Sequence, residues 1–394
     1  MIRSVEFHNF KSLVRFSLPP KGPENVAAHG LPNFVCLVGM NGAGKSTLLQ
    51  AFDFLRAVMS GSIRQWLQRR EWKIKDIKYR NSFLASKVVQ FKLVIEHNGH
   101  SILWEANFSA VKMKCVFERV SVGNVPLLEV KDAKCKLFFL KDSTYESITY
   151  NYEGSILSQM KESQYSDSQE IVALINAVNG IKSLDLLSPH QIRKAARDGE
   201  IGLGGERLAP TLYKFSLDRK EELQGIIREF YPSLLNYWVQ SKKYGWKKIH
   251  FRENLGETDG ILEVDEMHIN DGLLRLLAII ALTISDCSVL LFDEIENGIN
   301  PELVSRLMEY LVKQTNAQVF ITTHSPMILN YLPDDIARES VFLLYRANGA
   351  TQSTRYFDYQ KTNAKLDFLG PGEVYADTPI SELLASDQQG GEPK

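Results

Sequence analysis

Residues 39 to 46 read Gly39-Met40-Asn41-Gly42-Ala43-Gly44-Lys45-Ser46, followed by Thr47. In such a loop the glycines let backbone N–H groups curl around phosphate oxygens with no Cβ in the way. Lys45 reaches the β- and γ-phosphates, the Ser46 hydroxyl ligates Mg²⁺, and a following helix presents its positive end. Gly39, Asn41, Gly42, Ala43, Gly44, Lys45, Ser46 and Thr47 therefore form a candidate cradle for ATP and Mg²⁺. The motif has meaning only between a strand and a helix. The chain supplies both: Phe34-Val35-Cys36-Leu37-Val38 is the apolar run of a buried parallel strand, and the residues from Thr47 to Leu55 have helical periodicity.

The rest of a composite ATPase site lies far downstream. Val289-Leu290-Leu291-Phe292 is an apolar strand ending in Asp293 and Glu294. A strand charged only at its carboxyl end suits the ligand crevice of a parallel sheet. Asp293 is the candidate to hold Mg²⁺ and Glu294 to polarise the attacking water. Ile321-Thr322-Thr323-His324 repeats the design, with an imidazole at the strand end to sense the γ-phosphate and orient the water. Upstream of both, Asn270-Asp271-Gly272 opens an apolar helix as a ready anion site. An ordinary helix cap accounts for that triplet locally, and only the order of motifs raises it above one.

Those residues need a scaffold of two lobes. At 394 residues, 44% apolar and 24% charged, the chain exceeds a single core of typical size and has an ordinary soluble composition. A net charge of −1 gives no global pull toward nucleic acid or anionic membrane. Cys36, Cys115, Cys135 and Cys287 are widely spaced, which suits reduced structural thiols in a cytoplasmic protein and argues against a zinc site. The start, Met1 to Phe7, alternates like a strand and lacks a signal-peptide block. The most apolar stretch, Leu273 to Ile284, contains Arg275 and is too short to span a bilayer.

The patterning predicts a first lobe over 1–148, with a turn at Asn9 to Ser12, a loop over Lys21 to Asn33, and a hairpin from Val88 to Phe108 turning at Asn98-Gly99. Strand-like pieces continue from Cys115 to Leu140. A mainly helical insertion is expected over 149–259, broken by a flexible glycine-rich connection at Gly199 to Gly205. The second lobe, 260–394, returns to alternating strands and helices, with short strands in its last 50 residues and a frayed tail from Asp387. No repeat and no heptad seam is visible.

The order of motifs resembles the ABC-type ATPases, and among them the RecF/SMC/OLD-like AAA group. The opening Ser4 to Leu13 is similar to the start of RecF-type proteins. Asp293 to Pro301 resembles the Asp-Glu-x-Glu-Asn-Gly-x-His-Pro run of OLD nucleases and their relatives. The resemblance implies an α/β, ABC/SMC-head-like P-loop ATPase with a mixed β N-terminal lobe and a largely helical insertion. It also implies ATP sandwiched between two copies, the phosphate loop of one facing Asn270-Asp271-Gly272 of the other, so that ATP closes a homodimer or larger assembly. Two positions depart from the pattern: Asn270 stands where serine is usual, and Asn300 where histidine is usual. The lobe-linker glutamine has three candidates, Gln65, Gln68 and Gln90.

Relatives in this group often act with a nuclease. About 70 residues follow His324, too few for a nuclease domain as well as the end of the fold. A separate effector, nuclease or toxin, is therefore expected, with this chain as sensor or scaffold of an antiphage-defence system. The alternatives are a RecF-like repair ATPase that clamps DNA and a nearly non-hydrolytic nucleotide-locked scaffold. Two basic–aromatic runs, Arg64 to Arg80 and Lys242 to Arg252, are candidate DNA or RNA contacts.

Overall fold

The computed structural model describes residues 1–21, 30–79, 88–139, 144–148, 151–256 and 260–388. The N-terminal lobe is an antiparallel sheet of β1 (Ile2–Phe10), β2 (Leu13–Leu18), β4 (Val88–His97), β5 (His100–Ser109), β6 (Lys114–Val122), β7 (Val125–Lys131), β8 (Lys134–Leu137) and β9 (Glu146–Ser147), in the order β2-β1-β4-β5-β6-β7-β8-β9. The β4–β5 hairpin closes at His97↔His100 with Asn98 and Gly99 both at positive φ, 49° and 78°. That is the two-residue turn expected of Asn-Gly, whose twist matches the flanking strands.

The central sheet has the order β10-β14-β15-β3-β16-β17, built from β3 (Phe34–Val38), β10 (Ile181–Leu184), β14 (Val289–Phe292), β15 (Gln318–Thr322), β16 (Val341–Ala347) and β17 (Ala350–Arg355). Its strands pair in parallel except for the closing hairpin β16–β17. β3, β14 and β15 are buried along their whole length, as a sheet covered on both faces requires. Alternate residues feed two separate cores. Val35, Leu37, Leu291 and Phe320 pack toward the N-terminal lobe, whereas Cys36, Val38, Leu290 and Ile321 pack toward the opposite face.

Helix α1 (Lys45–Met59) fills the first face, its Leu48, Leu49 and Phe52 fully buried, with α2 (Ile63–Arg69) and α3 (Gln169–Asn179) beside it. The second face is covered by α4 (Pro189–Ile192), α5 (Leu208–Lys214), α6 (Leu217–Phe230), α7 (Asp271–Thr283) and α8 (Pro301–Lys313). A small antiparallel sheet of β11 (Leu234–Ser241), β12 (Lys247–Asn254) and β13 (Ile261–Asp265) leads into α7. The chain finishes with α9 (Pro326–Asn330), α10 (Asp334–Ser340), α11 (Gln360–Lys365), α12 (Pro371–Asp377) and α13 (Ile380–Gln388).

Three expectations need amendment. The stretch 149–259 does carry helices α3 to α6, but Ile181–Leu184 pairs with β14 inside the central sheet, and β11 and β12 are strands. A four-residue run, Ile-Lys-Ser-Leu, within helical surroundings does not announce a strand, because only the sheet edge that receives it distinguishes the two. The glycine-rich break is an ordered turn: Leu186 N donates to Leu203 O (3.1 Å) and Ser188 N to Gly204 O (3.0 Å). The short strands expected in the last 50 residues are the end of β16 and β17, and the described residues after β17 are helical. The tail is described only to residue 388.

Candidate nucleotide site

The parallel register brings three strand ends together. β15 lies between β3 and β14, so the phosphate-binding loop, the Asp293–Glu294 pair and His324 all leave the same carboxyl edge of the sheet. The loop glycines are required by close approach. A Cβ on Gly39 (φ 142°) would sit 2.1 Å from Leu344 O, and one on Gly44 (φ 109°) 2.3 Å from Thr351 Oγ1. β16 and β17 thus press the loop from behind, with Thr351 Oγ1 donating to Ala43 O (2.9 Å) and Arg346 Nε to Gly42 O (3.1 Å).

Lys45 is buried, and its Nζ donates to Gly39 O (2.7 Å) and Met40 O (3.3 Å) while lying 3.4 Å from His324 Nδ1. Burial lowers its pKa, opposed by the pull of Asp293, Glu294 and Glu296. Ser46 and Thr47 lie in the first turn of α1 and stay partly exposed, and Asn41 in the loop is exposed. Among the described residues no cluster of three or more His, Cys, Asp and Glu could cage a metal. A hydroxyl and one carboxylate fit Mg²⁺, which draws its other ligands from phosphates and water.

Thr322 organises the acidic pair. Its Oγ1 donates to Asp293 Oδ1 and accepts from Glu294 N (2.9 Å). Glu294 adopts φ 48°, an uncommon left-handed conformation for a glutamate. Its Oε1 faces His324 Nε2 at 3.9 Å, and Asn297 Nδ2 donates to its Oε2 (3.4 Å). His324 therefore stands between an ammonium and a carboxylate. That environment favours Nδ1 as acceptor toward Lys45 and an N–H at Nε2 toward Glu294.

Sequence reasoning passed over Glu296, although it stands in the same acidic run. Its Oε1 accepts from Thr323 Oγ1 (2.8 Å) and from His324 N (3.1 Å), and its Oε2 is buried with no partner. Thr322, Thr351 and Arg346 were missed too, since nothing in their local sequence distinguishes them.

Asn270 caps α7: its Oδ1 accepts from Leu273 N (2.7 Å) and from Tyr231 OH (3.0 Å). Asp271 pairs with Arg193 (2.7 Å), whose guanidinium also donates to Glu266 O and Ile269 O. Gly272 lies against the turn at Gly298. Asn300 caps α8, accepting from Glu302 N (3.0 Å) ahead of Pro301. Both departures from the usual pattern thus fall at N-caps, where asparagine is among the best residues. Among the described residues no hydrogen bond or ion pair joins 270–272 to 39–47, and none joins Gln65, Gln68 or Gln90 to the site.

On the other flank of the loop lies a cavity of about 590 Å³, lined by Lys11, Ser12, Trp72, Lys78, Tyr79 and Arg346 among others. It lies between the N-terminal lobe and the β16–β17 turn.

The family model for "AAA domain, putative AbiEii toxin, Type IV TA system" matches residues 34–99 and 140–330, well over half of the chain. The chain belongs to this family. None of the curated proteins matches it. Among solved structures it is similar to an SMC head bound to the C-terminal winged-helix domain of ScpA, with 12% identity, TM-score 0.54, and 90% of this chain and 96% of that one covered. It is also similar to an SMC head with an extended coiled coil bound to the C-terminal domain of ScpA derived from Pyrococcus furiosus, with 11% identity, TM-score 0.52, and 90% and 95% covered. The fold of this AAA family member is that of an ABC/SMC-head-like P-loop ATPase. No helix of the described residues is long and apolar enough to cross a membrane.

The first basic run loses several members as a contact surface. Arg70 is 6% exposed, its guanidinium bonded to Asp53 and to Asp185 (2.6 Å), and Trp66 donates its indole N–H to Asp53 (2.7 Å). These residues tie α1, α2 and the end of β10 together. Arg80 lies outside the described residues.

Proposed function

We propose that this ABC/SMC-like chain hydrolyses ATP in paired copies and serves as the sensor or scaffold subunit of a defence system whose effector is a separate nuclease or toxin. The observation that carries the ATPase reading is the meeting of Lys45, Asp293, Glu294 and His324 at one sheet edge. In this reading the loop N–H groups and Lys45 hold the β- and γ-phosphates. Ser46 and Asp293 hold Mg²⁺, which would neutralise phosphate charge. Glu294 orients and polarises the attacking water, and His324 monitors the γ-phosphate from beside Lys45. The cavity lined by Lys11, Trp72 and Tyr79 takes the nucleoside.

Pairing is supported by the isolation of the signature triplet within one chain. Asn270 and Asp271 are exposed, the Asp271 carboxylate by 62%. With the Asn270 oxygen engaged by Leu273 and Tyr231, its amide N–H₂ is the donor left for a phosphate of a second copy. The toxin–antitoxin wording of the family description supports the defence context.

The test is steady-state ATP hydrolysis against a Lys45→Ala blank, together with light scattering of Glu294→Gln with and without ATP and Mg²⁺. The expected results are turnover above the blank and an ATP-dependent increase in mass for Glu294→Gln. Turnover indistinguishable from the blank supports the locked scaffold instead, and an unchanged mass removes the paired site.

A further inference from the structure

The second basic run divides in the tertiary structure. Along β12, Lys248 pairs with Asp265 (3.5 Å) and Arg252 with Glu263, so strand β13 neutralises both. At the β11–β12 tip, Lys242, Lys243 and Lys247 have no ion pair among the described residues. A distant segment adds to them: Lys247 N donates to Ala196 O (2.9 Å), and the Arg197 guanidinium lies 4.8 Å from the Trp246 ring centre. Lys247 Nζ stands 4.0 Å from the ring centre of Tyr213, on α5. Three separate stretches therefore converge on one cationic, aromatic knob of a chain whose net charge is −1.

Tyr244 is the residue that gives the knob direction. It is 85% exposed and adopts φ 60°, with Gly245 also left-handed at φ 81°. A bulky side chain at positive φ is a true outlier, and such strain persists only where the surroundings impose it. Here the tip is closed by Lys242 N to Trp246 O (2.7 Å) and Gly245 N to Lys242 O (3.2 Å), which hold the phenol ring out into solvent. Tyr213 and Trp246 are also accessible, at 46% and 36%.

We infer that this knob binds single-stranded nucleic acid, with bases stacking on Tyr244 and phosphates paired by Lys242, Lys243, Lys247 and Arg197. Unpaired cations alone would accept any polyanion. Exposed, pre-positioned rings among them fit an unstacked base, which a duplex does not offer. The inference does not depend on ATP turnover.

The test is fluorescence anisotropy of the full chain with a labelled oligothymidylate and an oligouridylate of about 20 nucleotides, against a duplex and heparin. Binding is expected for one or both single strands, with log K falling against log salt at a slope of about −3 for four phosphates. Lys242→Glu with Lys243→Glu should weaken binding at least tenfold and flatten that slope. Tyr244→Ala should weaken binding about 5- to 100-fold and leave the slope unchanged. Oligothymidylate against oligouridylate decides DNA from RNA. Absence of binding at about 50 mM salt, duplex binding as tight as single-strand binding, or an unaffected Tyr244→Ala variant would each overturn the inference.

Discussion

Lys45 Nζ and His324 Nδ1 lie 3.4 Å apart although 279 residues separate them in the chain. The contact joins the phosphate-binding loop to the end of β15. Lys45 Nζ also donates to two carbonyls of its own loop, Gly39 O and Met40 O. In the proposed ATPase reading, His324 senses the γ-phosphate from beside this ammonium. His324→Ala should lower kcat about 100-fold with KM changed only a few-fold, because a strand-end imidazole contributes mainly to the transition state. Lys45→Ala should abolish the thermal shift that saturating ATP gives the unaltered chain, a stabilisation of about 2.7 kcal/mol at a hundred times Kd. Steady-state kinetics and thermal unfolding with ATP check the two.

Glu296 is hydrogen-bonded to the turn that carries His324. One oxygen accepts from both the Thr323 hydroxyl and the His324 amide, so it positions the turn that carries the imidazole. Glu296→Ala should reduce kcat roughly tenfold with little change in KM, whereas Glu296→Gln keeps the accepting oxygen and should recover most of the activity. Hydrogen exchange of the His324 amide offers a readout without nucleotide: faster in the alanine variant, near normal in the glutamine variant. Equal loss in both variants would mean that charge, not positioning, is the contribution.

The Arg70 ion pairs are structural. Their side chains are 1% exposed for Arg70, 6% for Asp53 and 1% for Asp185. Arg70→Ala leaves two buried carboxylates facing each other and should destabilise the fold by about 3–5 kcal/mol. Arg69→Ala, one residue away and exposed, should stay within about 0.5 kcal/mol of the unaltered chain. Urea denaturation of the two variants side by side separates them. A loss of nucleic-acid binding in an Arg70 variant would thus report unfolding rather than contact.

Glu118 is a buried carboxyl in the N-terminal lobe. Oε1 accepts from Trp104 Nε1 (2.9 Å) and Ser155 Oγ (2.5 Å), and Oε2 from Ile156 N (3.0 Å). Burial raises its pKa, although these three donors pull the other way. A folded-state value above the unfolded one means that the group's contribution is fully present below the unfolded value, near 4.5, and is lost as pH rises through the folded value. Glu118→Gln cannot titrate, and its N–H₂ meets the Ile156 N–H, so it carries a roughly constant penalty of about 1–3 kcal/mol. The stability of the unaltered chain relative to Glu118→Gln should therefore decline as pH rises from 5 to 8. Denaturation curves for both across that range test the sign.

Much of the candidate site was legible before folding. A phosphate-binding loop needs particular residues at adjacent positions, and a charge at the end of an apolar strand stands out in one dimension. The Asn-Gly turn of the β4–β5 hairpin was readable for the same reason, since its backbone requirement falls on two neighbours. Thr322 and Arg193 make their contacts with atoms brought from other segments, so their local text carries no mark of the role; Glu296 stands in the acidic run, but its contact with the His324 turn is visible only in the structure. The basic runs show the limit most clearly. Arg64 to Arg80 and Lys242 to Arg252 look alike as composition, yet one hides Arg70 and Trp66 in the interior while the other presents Tyr244 and Lys243 to solvent.

By itself, the sequence determined the chemistry that needs contiguous residues: the phosphate loop, the two carboxylates after β14, the histidine after β15, and the strand–helix text that supports each. Only the tertiary structure decided which groups face one another. It set Lys45 beside His324, threaded Ile181–Leu184 into the sheet edge, and divided the cations between buried ion pairs and an open knob. The physical reason is range. Backbone geometry and local hydrogen bonding are set by neighbours along the chain, whereas burial, pairing of charge and exposure depend on packing between segments far apart in sequence.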